Sequence, residues 1–259
     1  MPRQVIALEG RLRHCRNVTT LGVRPNFDDY TDTEKAAMAS AETIYYPSRK
    51  YALLFDAIGK RTFPGYHGYA CAQDKIRQST LFQLAGIPHP RTRVFYGKRQ
   101  QRQILSRFSL PLIAKVPRGS AMGRGVYLIR DPLELAQYCS RNHAAYIQEY
   151  LPVTADIRAV VVGGRVVHAY WRKAPARDFR SNVSVGGCIV LDPVPEAALQ
   201  LARSTAAACR WDDVGIDIIH CHGRYFVIEG NMKYGREGFR AAGIDYSRMM
   251  EDLIDHGTI

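Results

Sequence analysis

Two apolar arms that flank Gly223 constrain the fold of this chain more than any other feature. The segment "GIDIIHCHGRYFVIEGN", residues Gly215 to Asn231, predicts a β-hairpin with its tip at Gly223. Asp217 and Glu229 are each six residues from this tip, so a symmetric hairpin makes them cross-strand neighbours with Cβ atoms about 5 Å apart. Asn231 shares their face, because side chains alternate along a strand. Three oxygen ligands on one face predict a magnesium site that substrate phosphates complete.

The same segment contains the triplet His220-Cys221-His222, whose residue types could also bind a metal. Both histidines are an odd number of residues from Asp217, so a regular strand points them to the opposite face. Cys221 shares the face of Asp217, but four residues at roughly 3.3 Å each separate the two by about 13 Å. We therefore interpret the triplet as the end of the hairpin. A pair of surface acids is the alternative interpretation of Asp217 and Glu229, although opposed like charges destabilise a hairpin unless a cation intervenes.

Composition excludes some classes of protein. The chain has 259 residues, of which 46% are hydrophobic and 23% charged, as in a folded soluble protein. No apolar run approaches the ~20 residues that cross a bilayer, and the start of the chain lacks the apolar core of a secretory signal, so we expect a cytoplasmic protein. The cysteines are scattered and are expected to be reduced packing residues: Cys15, Cys71, Cys139, Cys188, Cys209 and Cys221. A net charge of +12 favours anionic partners such as nucleotides, acidic peptides or nucleic acid.

The order of predicted elements indicates the fold class. Residues 1–70 predict a small α/β unit, and residues further along predict helices and strands in mixed order. Helices are predicted at about 74–86, 132–141, 195–209 and 246–255. Gly163-Gly164 predicts the turn of a second hairpin in "DIRAVVVGGRVVHAYWRK". This mixture favours an α+β fold with antiparallel sheets over a doubly wound parallel sheet.

A glycine-rich loop follows an apolar strand that contains a lysine. Gly119, Ser120, Gly123 and Gly125 in "PRGSAMGRG" would let backbone amides approach an anion, although a flexible hairpin tip is the alternative. The loop matches neither of the common glycine-rich nucleotide motifs, because a strand follows it. Lys115 lies just before it in "LIAKV", where burial of an ammonium group is unfavourable without an anion. A phosphate would supply that anion, and a lysine that reaches solvent from the edge of the sheet is the alternative.

Polar residues elsewhere could complete a nucleotide site. Arg180 in "DFRSN" offers a planar guanidinium for phosphate, and Asn182 could orient phosphate or metal-bound water. The strand edge at "QEYLP" could offer backbone groups to adenine, with Glu149 as an acceptor. Asp156, eight residues after Gln148, could accept hydrogen bonds from ribose hydroxyls. A surface loop at "DFRSN" and a turn aspartate at 156 are the alternatives.

In chain order, these segments resemble the ATP-grasp superfamily, and specifically its RimK-like branch of amino-acid ligases. The segments are "DKIRQSTLFQLAGIPHP", "IAKVPRGSAMGRGV", "YIQEYLPVTADIRAVVVGGRVVHAYWRKAPARDFRSN" and "GIDII" with "VIEGN". The resemblance covers about residues 55 to 256 and implies two α+β lobes that clamp ATP, preceded by a small N-terminal α/β domain. We expect the N-terminal domain at residues 1–70, the N-lobe at 71–147 with its glycine loop at 117–125, and the C-lobe with the metal site at 148–259.

The resemblance also implies a reaction and a set of site residues. ATP would phosphorylate a carboxylate, and an amine would attack the acyl phosphate to give an amide, ADP and phosphate. Two magnesium ions, for which manganese could substitute, would bridge the phosphates and bind Asp217, Glu229 and Asn231. Lys115 and Arg180 would be catalytic, with Arg180 stabilising the acyl phosphate. The residues implied to bind ATP are Lys75, Lys115, Gly119, Ser120, Gly123, Gln148, Glu149, Tyr150, Asp156, Arg180, Ser181 and Asn182.

Two segments depart from the RimK-like pattern. Val185 stands before Gly186-Gly187 where a basic residue is usual, and Met232-Lys233-Tyr234-Gly235 stands where Ser-Pro-Gly is common. Both departures fall where the resemblance places the acceptor and amine substrates. The resemblance therefore does not establish glutamate as the added amino acid of this chain.

We therefore expect an ATP-dependent ligase that joins an amine, such as glutamate, to the carboxylate of a peptide, protein or small molecule. An RNA- or ribosome-associated binding protein with a vestigial ATP-grasp fold is one alternative, and an ATP-grasp kinase of small molecules is another. No membrane partner is expected. The sequence allows nucleic-acid binding but does not favour it, and it leaves homo-oligomer formation open.

Overall fold

The computed structural model describes residues 5–119, 125–175 and 186–259, which form three β-sheets and the helices around them. The strands are β1 (Val5–Ala7), β2 (Val18–Thr20), β3 (Thr43–Tyr45), β4 (Arg61–Phe63), β5 (Thr92–Tyr96), β6 (Leu112–Lys115), β7 (Val126–Ile129), β8 (Ala144–Glu149), β9 (Ala155–Val162), β10 (Arg165–Lys173), β11 (Cys188–Val190), β12 (Asp213–Cys221) and β13 (Arg224–Asn231). The helices are α1 (Asp32–Ser40), α2 (Ser48–Ala57), α3 (Tyr66–Cys71), α4 (Lys75–Leu84), α5 (Gly97–Gln101), α6 (Pro132–Arg141), α7 (Glu196–Cys209), α8 (Glu237–Ala241) and α9 (Tyr246–Asp255). No helix in these ranges is long and apolar enough to span a bilayer.

The first sheet is parallel, with strand order β2-β1-β3-β4. Together with α1 and α2 it forms the small α/β unit that the sequence predicts. Strands β2 and β4 were not predicted, because each has three residues and polar side chains interrupt its apolar pattern. Helix α1 begins with a capping box, in which Thr31 and Glu34 satisfy each other's backbone N–H groups.

The second sheet is antiparallel, with order β5-β8-β6-β7, and it carries Lys115 at the end of β6. Helix α6 begins where predicted, because Asp131 accepts hydrogen bonds from the backbone N–H groups of Leu133 and Glu134 and Pro132 occupies the first turn. Helix α5 lies in a polar segment that predicted no helix. Its short length and the absence of buried residues explain why no apolar periodicity marks it.

The third sheet is antiparallel, with order β11-β10-β9-β12-β13, and its two faces have different chemistry. On one face, Ile157, Ala159 and Val161 of β9 pack in an apolar core with alanines of α7. The alternate residues of β9 point to the other face, where Asp156 and Arg158 are charged. The predicted hairpin of β9 and β10 is confirmed, and its turn is Gly163-Gly164 with positive φ at both residues.

A β-bulge in the last hairpin determines which face carries Glu229. The turn consists of His222 and Gly223, with φ of 49° and 72°, so the hairpin is not symmetric about Gly223. An uninterrupted ladder from this turn would pair Asp217 with Ile228 and would point Glu229 to the opposite face. One extra residue in β13 shifts the register, and Asp217 pairs with Glu229. The predicted pair is therefore confirmed, whereas the symmetric hairpin that led to it is wrong.

Helix α4 is attached directly to β13. The side-chain amide of Gln78 donates to the carbonyl of Gly230 at 2.8 Å and accepts from its N–H at 2.9 Å. A Cβ atom at Gly230 would lie 2.4 Å from a ring carbon of Trp211, so only glycine allows this close packing. The contact fixes Lys75, at the start of α4, relative to the strand that carries Glu229 and Asn231.

Asp212 connects the third sheet to the segment that leaves the N-terminal unit. The backbone N–H of Gly65 donates to both carboxylate oxygens of Asp212, at 3.1 and 3.0 Å. The pKa of Asp212 is raised to about 6, because burial and the charge of Asp213 outweigh the hydrogen bond from the Gly65 N–H, which lowers it.

We expect this carboxylate to make folding stability depend on pH. Its pKa is higher in the folded protein than in the unfolded chain, so between about pH 4 and pH 6 the folded state binds more protons. The free energy of unfolding should therefore fall as the pH rises through this interval. In Asp212→Asn this contribution should disappear, because the amide oxygen still accepts from Gly65 but does not titrate. Urea unfolding of both proteins from pH 4 to pH 7 measures the effect, and a difference that does not vary with pH would contradict it.

Candidate active site

The polar face of the third sheet carries a buried network of two carboxylates and two guanidinium groups. Arg158 and Asp217 are direct cross-strand partners, as are Asp156 and Arg172. Arg158 donates to both oxygens of Asp217, and Arg172 donates to both oxygens of Asp156 at 2.7 and 2.6 Å. Arg172 also reaches Asp217 at 3.0 Å, which joins the two pairs. The four side chains are only 5% to 8% exposed, so nearly all their charge is neutralised within the network.

Asp217 and Asn231 are held in fixed orientations by this network. Burial opposes ionisation of Asp217, but the guanidinium groups of Arg158 and Arg172 hold its pKa below the ordinary value. The side-chain amide of Asn231 donates to Asp217 at 3.1 Å. Because the NH₂ group faces the carboxylate, the amide oxygen of Asn231 points elsewhere and is available as a ligand.

Glu229 pairs with Asp217 across the last hairpin and lies near Lys115 of the second sheet. No described residue donates a hydrogen bond to its half-buried carboxylate. Lys115 is 4% exposed and Lys75 is 5% exposed. The pKa of Lys115 is lowered to about 8, because burial and the charge of Lys75 outweigh the carboxylates of Glu229 and Asp217, which raise it. The buried ammonium group of Lys115 therefore lies near Lys75 and near the carboxylates of Glu229 and Asp217, which is an arrangement suited to phosphate and a cation together.

The start of the glycine-rich loop is fixed against the N-terminus of α4. The N–H of Lys75 donates to the carbonyl of Pro117 at 2.9 Å, and the N–H of Gly119 donates to the carbonyl of Gln73 at 3.2 Å. Gly119 has a φ of 69°, which favours glycine. Ser120 and Gly123 of the predicted loop lie outside the described residues.

The residues predicted to contact adenine and ribose have other partners within the protein. Gln148 is buried and donates to the hydroxyl of Thr92 at 2.8 Å. Glu149 accepts from the N–H of Arg91 at 2.6 Å, and Tyr150, just after β8, is partly exposed. Both oxygens of Asp156 accept from Arg172, so its predicted contact with ribose stays a prediction.

The histidine triplet is not a metal site in the described part of the chain. His220 is exposed and stacks on Tyr225 with ring centroids 4.6 Å apart, and His222 is in the turn. Among the described residues, no group of three or more His, Cys, Asp or Glu side chains is placed to hold a metal. Asp217, Glu229 and Asn231 are two acids and an amide, so their oxygen donors fit magnesium but do not form such a group.

Comparison with known proteins identifies the family. A family model described as the RimK-like ATP-grasp domain matches residues 72–254, which is well over half of the chain. The chain belongs to the RimK-like ATP-grasp family. A ribosomal protein bS6–L-glutamate ligase of Escherichia coli O139:H28 is 31% identical over 213 residues, which are 79% of this chain and 71% of that protein. A beta-citrylglutamate synthase B of Danio rerio is 32% identical over 187 residues, which are 68% of this chain but only 46% of the fish protein.

Solved structures confirm the ATP-grasp fold. The RimK domain ATP-grasp protein of Sphaerobacter thermophilus superposes with a TM-score of 0.66 at 16% identity, covering 97% of this chain and 99% of that one. The D-alanine–D-alanine ligase of Bacillus anthracis complexed with ATP gives a TM-score of 0.70 at 14% identity, covering 98% and 96%. The predicted α+β fold is thus confirmed, while the domain boundaries near residues 70 and 147 stay predictions.

Two arginines of this RimK-like site were not predicted. Arg158 and Arg172 lie in the segments "DIR" and "YWRK", where only Asp156 was considered. The spacing of Asp156 and Arg158 places them on one face of β9 and could have indicated a charged pair. The pairing of Arg172 with Asp156 could not be predicted in this way. An irregularity between Val166 and His168 shifts the register of β10 against β9 by one residue. Three predicted residues, Arg180, Ser181 and Asn182, lie outside the described residues.

Proposed function

We propose that this chain is an ATP- and magnesium-dependent ligase that joins an amine to a carboxylate through an acyl phosphate. One observation carries the proposal. The buried ammonium group of Lys115 lies near that of Lys75 and near the carboxylates of Glu229 and Asp217. Burial and the charge of Lys75 both disfavour the ammonium form of Lys115, and the phosphates of ATP would stabilise that form.

The relatives support the reaction class. One is named a glutamate ligase that acts on ribosomal protein bS6, and another a synthase of beta-citrylglutamate. A third relative by fold is named a D-alanine–D-alanine ligase, and its structure is a complex with ATP. Since this chain spans less than half of the fish protein, we propose the general reaction and leave the acceptor undefined. The amine is proposed to be an amino acid, with glutamate as the first to test.

The protein groups have distinct proposed roles. Lys75 and Lys115 would bind phosphate oxygens, and backbone N–H groups of the glycine-rich loop after Gly119 would cover them. Glu229 and Asn231 would hold magnesium together with Asp217, whose orientation the two buried arginines fix. Magnesium, when bound, would neutralise charge on the phosphates during transfer. We propose two ions, with manganese as a substitute.

The remaining predicted residues complete the proposal. Arg180 would stabilise the acyl phosphate, with Ser181 and Asn182 beside the phosphates. The end of β8, at Gln148 to Tyr150, would receive adenine, although the predicted free strand edge is wrong because β8 pairs with both β5 and β6. No protein nucleophile is required, because positioning and electrostatic stabilisation are sufficient to catalyse phosphoryl transfer.

A screen of nucleotide turnover tests the proposal. Release of ADP and phosphate from ATP and magnesium is measured with each amino acid, combined with candidate carboxylates or cell extract. We expect release only when both an amine and a carboxylate are present, with an amide product in the mass spectrum. Tight, salt-sensitive RNA binding without any response to nucleotide would favour the binding-protein alternative instead. A stable phosphorylated product without an amide would favour the kinase alternative.

A further inference from the structure

Asp74 connects the helix that carries Lys75 to the start of the glycine-rich loop. It is the N-cap residue of α4, where its Oδ1 accepts a hydrogen bond from the N–H of Arg77 at 3.0 Å. Its Oδ2 accepts from the Nε of Arg118 at 3.0 Å, and Arg118 directly precedes Gly119 in sequence. The carboxylate therefore binds the helix through one oxygen and the loop through the other.

The backbone around this ion pair forms a short antiparallel bridge. Asp74 and Arg118 are direct partners in it, and they form a pair without mutual backbone hydrogen bonds, in which side chains are closest. The N–H groups of Lys75 and Gly119 donate across the bridge, at 2.9 and 3.2 Å. Gln73, which accepts from Gly119, has a φ of 57°, a conformation that a residue with a side chain keeps only where surrounding contacts hold it. The ion pair and the bridge therefore fix the same point of the loop.

The two arginines that approach Asp74 connect it to different parts of the molecule. Arg77 lies 3.6 Å from Oδ2, and its Nη1 donates to the carbonyl of Ala70 in α3 at 2.8 Å. Arg118 belongs to the loop, and its side chain is 67% exposed, whereas that of Asp74 is only 10% exposed. Because the carboxylate is largely buried, it interacts with Arg118 more strongly than a fully exposed carboxylate would. Of these two arginines, Arg118 is therefore the one that holds the loop.

The same helix is attached one turn later to the strand that carries the proposed metal ligands. Gln78 is four residues after Asp74, so the two side chains lie on one face of α4. The amide of Gln78 exchanges two hydrogen bonds with the backbone of Gly230, which lies between Glu229 and Asn231. Helix α4 therefore connects the start of the loop, through Asp74, to the proposed metal site, through Gln78.

The alternative is a purely structural role, in which Asp74 does no more than begin α4. A helix cap requires one side-chain acceptor, and Oδ1 supplies it. Serine or asparagine at this position would supply the same cap without a charge. The ion pair of Oδ2 with Arg118 adds nothing to the cap, and it joins two segments that are more than 40 residues apart in sequence. This second contact favours a function in the loop.

We propose that Asp74 is a positioning residue for nucleotide binding, which holds Arg118 and Gly119 against the end of α4 that carries Lys75. The inference rests on the proposed function, and specifically on its nucleotide site. With the ion pair intact, the backbone of Gly119 and that of Lys75 have fixed relative positions before the nucleotide binds, so less conformational entropy is lost on binding. Without the pair, the nucleotide itself must order the start of the loop, and it dissociates faster.

Three single variants separate the two contacts of the carboxylate. Asp74→Ser keeps the helix cap, because serine caps about as well as aspartate, but its shorter side chain does not reach Arg118. Arg118→Met removes the same pair from the side of the loop. Arg77→Met is the matched control, because it removes an arginine beside the same carboxylate that has its other contact in α3. Thermal unfolding without nucleotide should change little in each variant.

Nucleotide binding tests the inference without turnover. Titration calorimetry with ADP and magnesium gives Kd, and stopped-flow mixing with a fluorescent N-methylanthraniloyl-ADP gives the rate constants. We expect Asp74→Ser and Arg118→Met each to raise Kd about threefold to fivefold, as loss of a partly exposed ion pair does, mainly through faster dissociation. Arg77→Met should stay within about twofold of the wild type. The double variant of Asp74→Ser and Arg118→Met should bind like either single variant, because both changes remove one interaction.

The outcomes separate this inference from the proposed function. The positioning role is overturned if the wild type does not bind ADP, if Asp74→Ser releases the nucleotide as slowly as the wild type, or if Arg77→Met and Arg118→Met have equal effects. It is also overturned if the two losses multiply in the double variant. Variants that behave as expected in a protein that forms no amide would support the positioning role and contradict the ligase activity. Amide formation with an unchanged KM for ATP in Asp74→Ser would support the ligase activity and contradict the positioning role.

Discussion

Glu229→Gln should lower the rate of ADP release by about 10² to 10³, the loss that removal of one charge-stabilising group typically causes. The substitution keeps the size of the side chain and removes its negative charge. That charge is proposed to hold magnesium, and it also raises the pKa of the buried Lys115. Steady-state ADP release at saturating ATP and magnesium measures the effect, and thermal stabilisation by ADP with magnesium should decrease in parallel.

His220→Ala is the control in the same hairpin. His220 is exposed and contacts Tyr225 on the other side of the strand from Asp217. We expect ADP release to stay within about twofold of the wild type, because surface substitutions away from a site have small effects. Full turnover by Glu229→Gln would contradict the metal assignment. Loss of activity in His220→Ala, together with a requirement for zinc, would instead assign the metal to the histidine triplet.

Arg172→Met should lower the free energy of unfolding by about 3 to 5 kcal/mol, because it leaves the buried carboxylate of Asp156 without compensation. Arg172 donates to both oxygens of Asp156 and also contacts Asp217. Methionine fills a similar volume but supplies neither charge nor hydrogen bonds. Equilibrium unfolding in urea at pH 7 measures the loss.

Two further variants test whether the large loss of stability in Arg172→Met is caused by burial of the network. Arg203 pairs with Glu196 on the exposed surface of α7, and Arg203→Met should cost less than about 1 kcal/mol. Addition of Asp156→Asn to Arg172→Met should recover part of the loss, because one uncompensated carboxylate is removed. Equal losses for Arg172→Met and Arg203→Met would contradict the view that the network is held by burial and mutual compensation.

Local sequence patterns predicted the positions of most elements. Helix α6 was predictable because Asp131 and Pro132 mark its start, and the hairpin of β9 and β10 because two glycines form its turn. Lys115 was predictable as a site residue because a lysine in an apolar strand needs a compensating anion. Each of these three features depends on residues that are close together in the sequence.

The register of the site could not be predicted, because β-bulges leave no clear mark in the sequence. The bulge beside Asp217 pairs it with Glu229, and the irregularity after Val166 pairs Asp156 with Arg172. Without these shifts, the alternation of side chains would separate both pairs. The contacts of Arg11 with Asp213 and Tyr234 were equally hidden, because these residues are more than 200 positions apart from Arg11 in sequence.

The stoichiometry of the reaction tests the central claim most directly. ATP, magnesium and an active pair of substrates are incubated with the protein, ADP and phosphate are quantified, and the product is weighed by mass spectrometry. The ligase proposal predicts one ADP and one phosphate for each amide, with a product mass equal to both substrates minus one water. ADP formed without an amide, in step with a stable phosphorylated product, would contradict it.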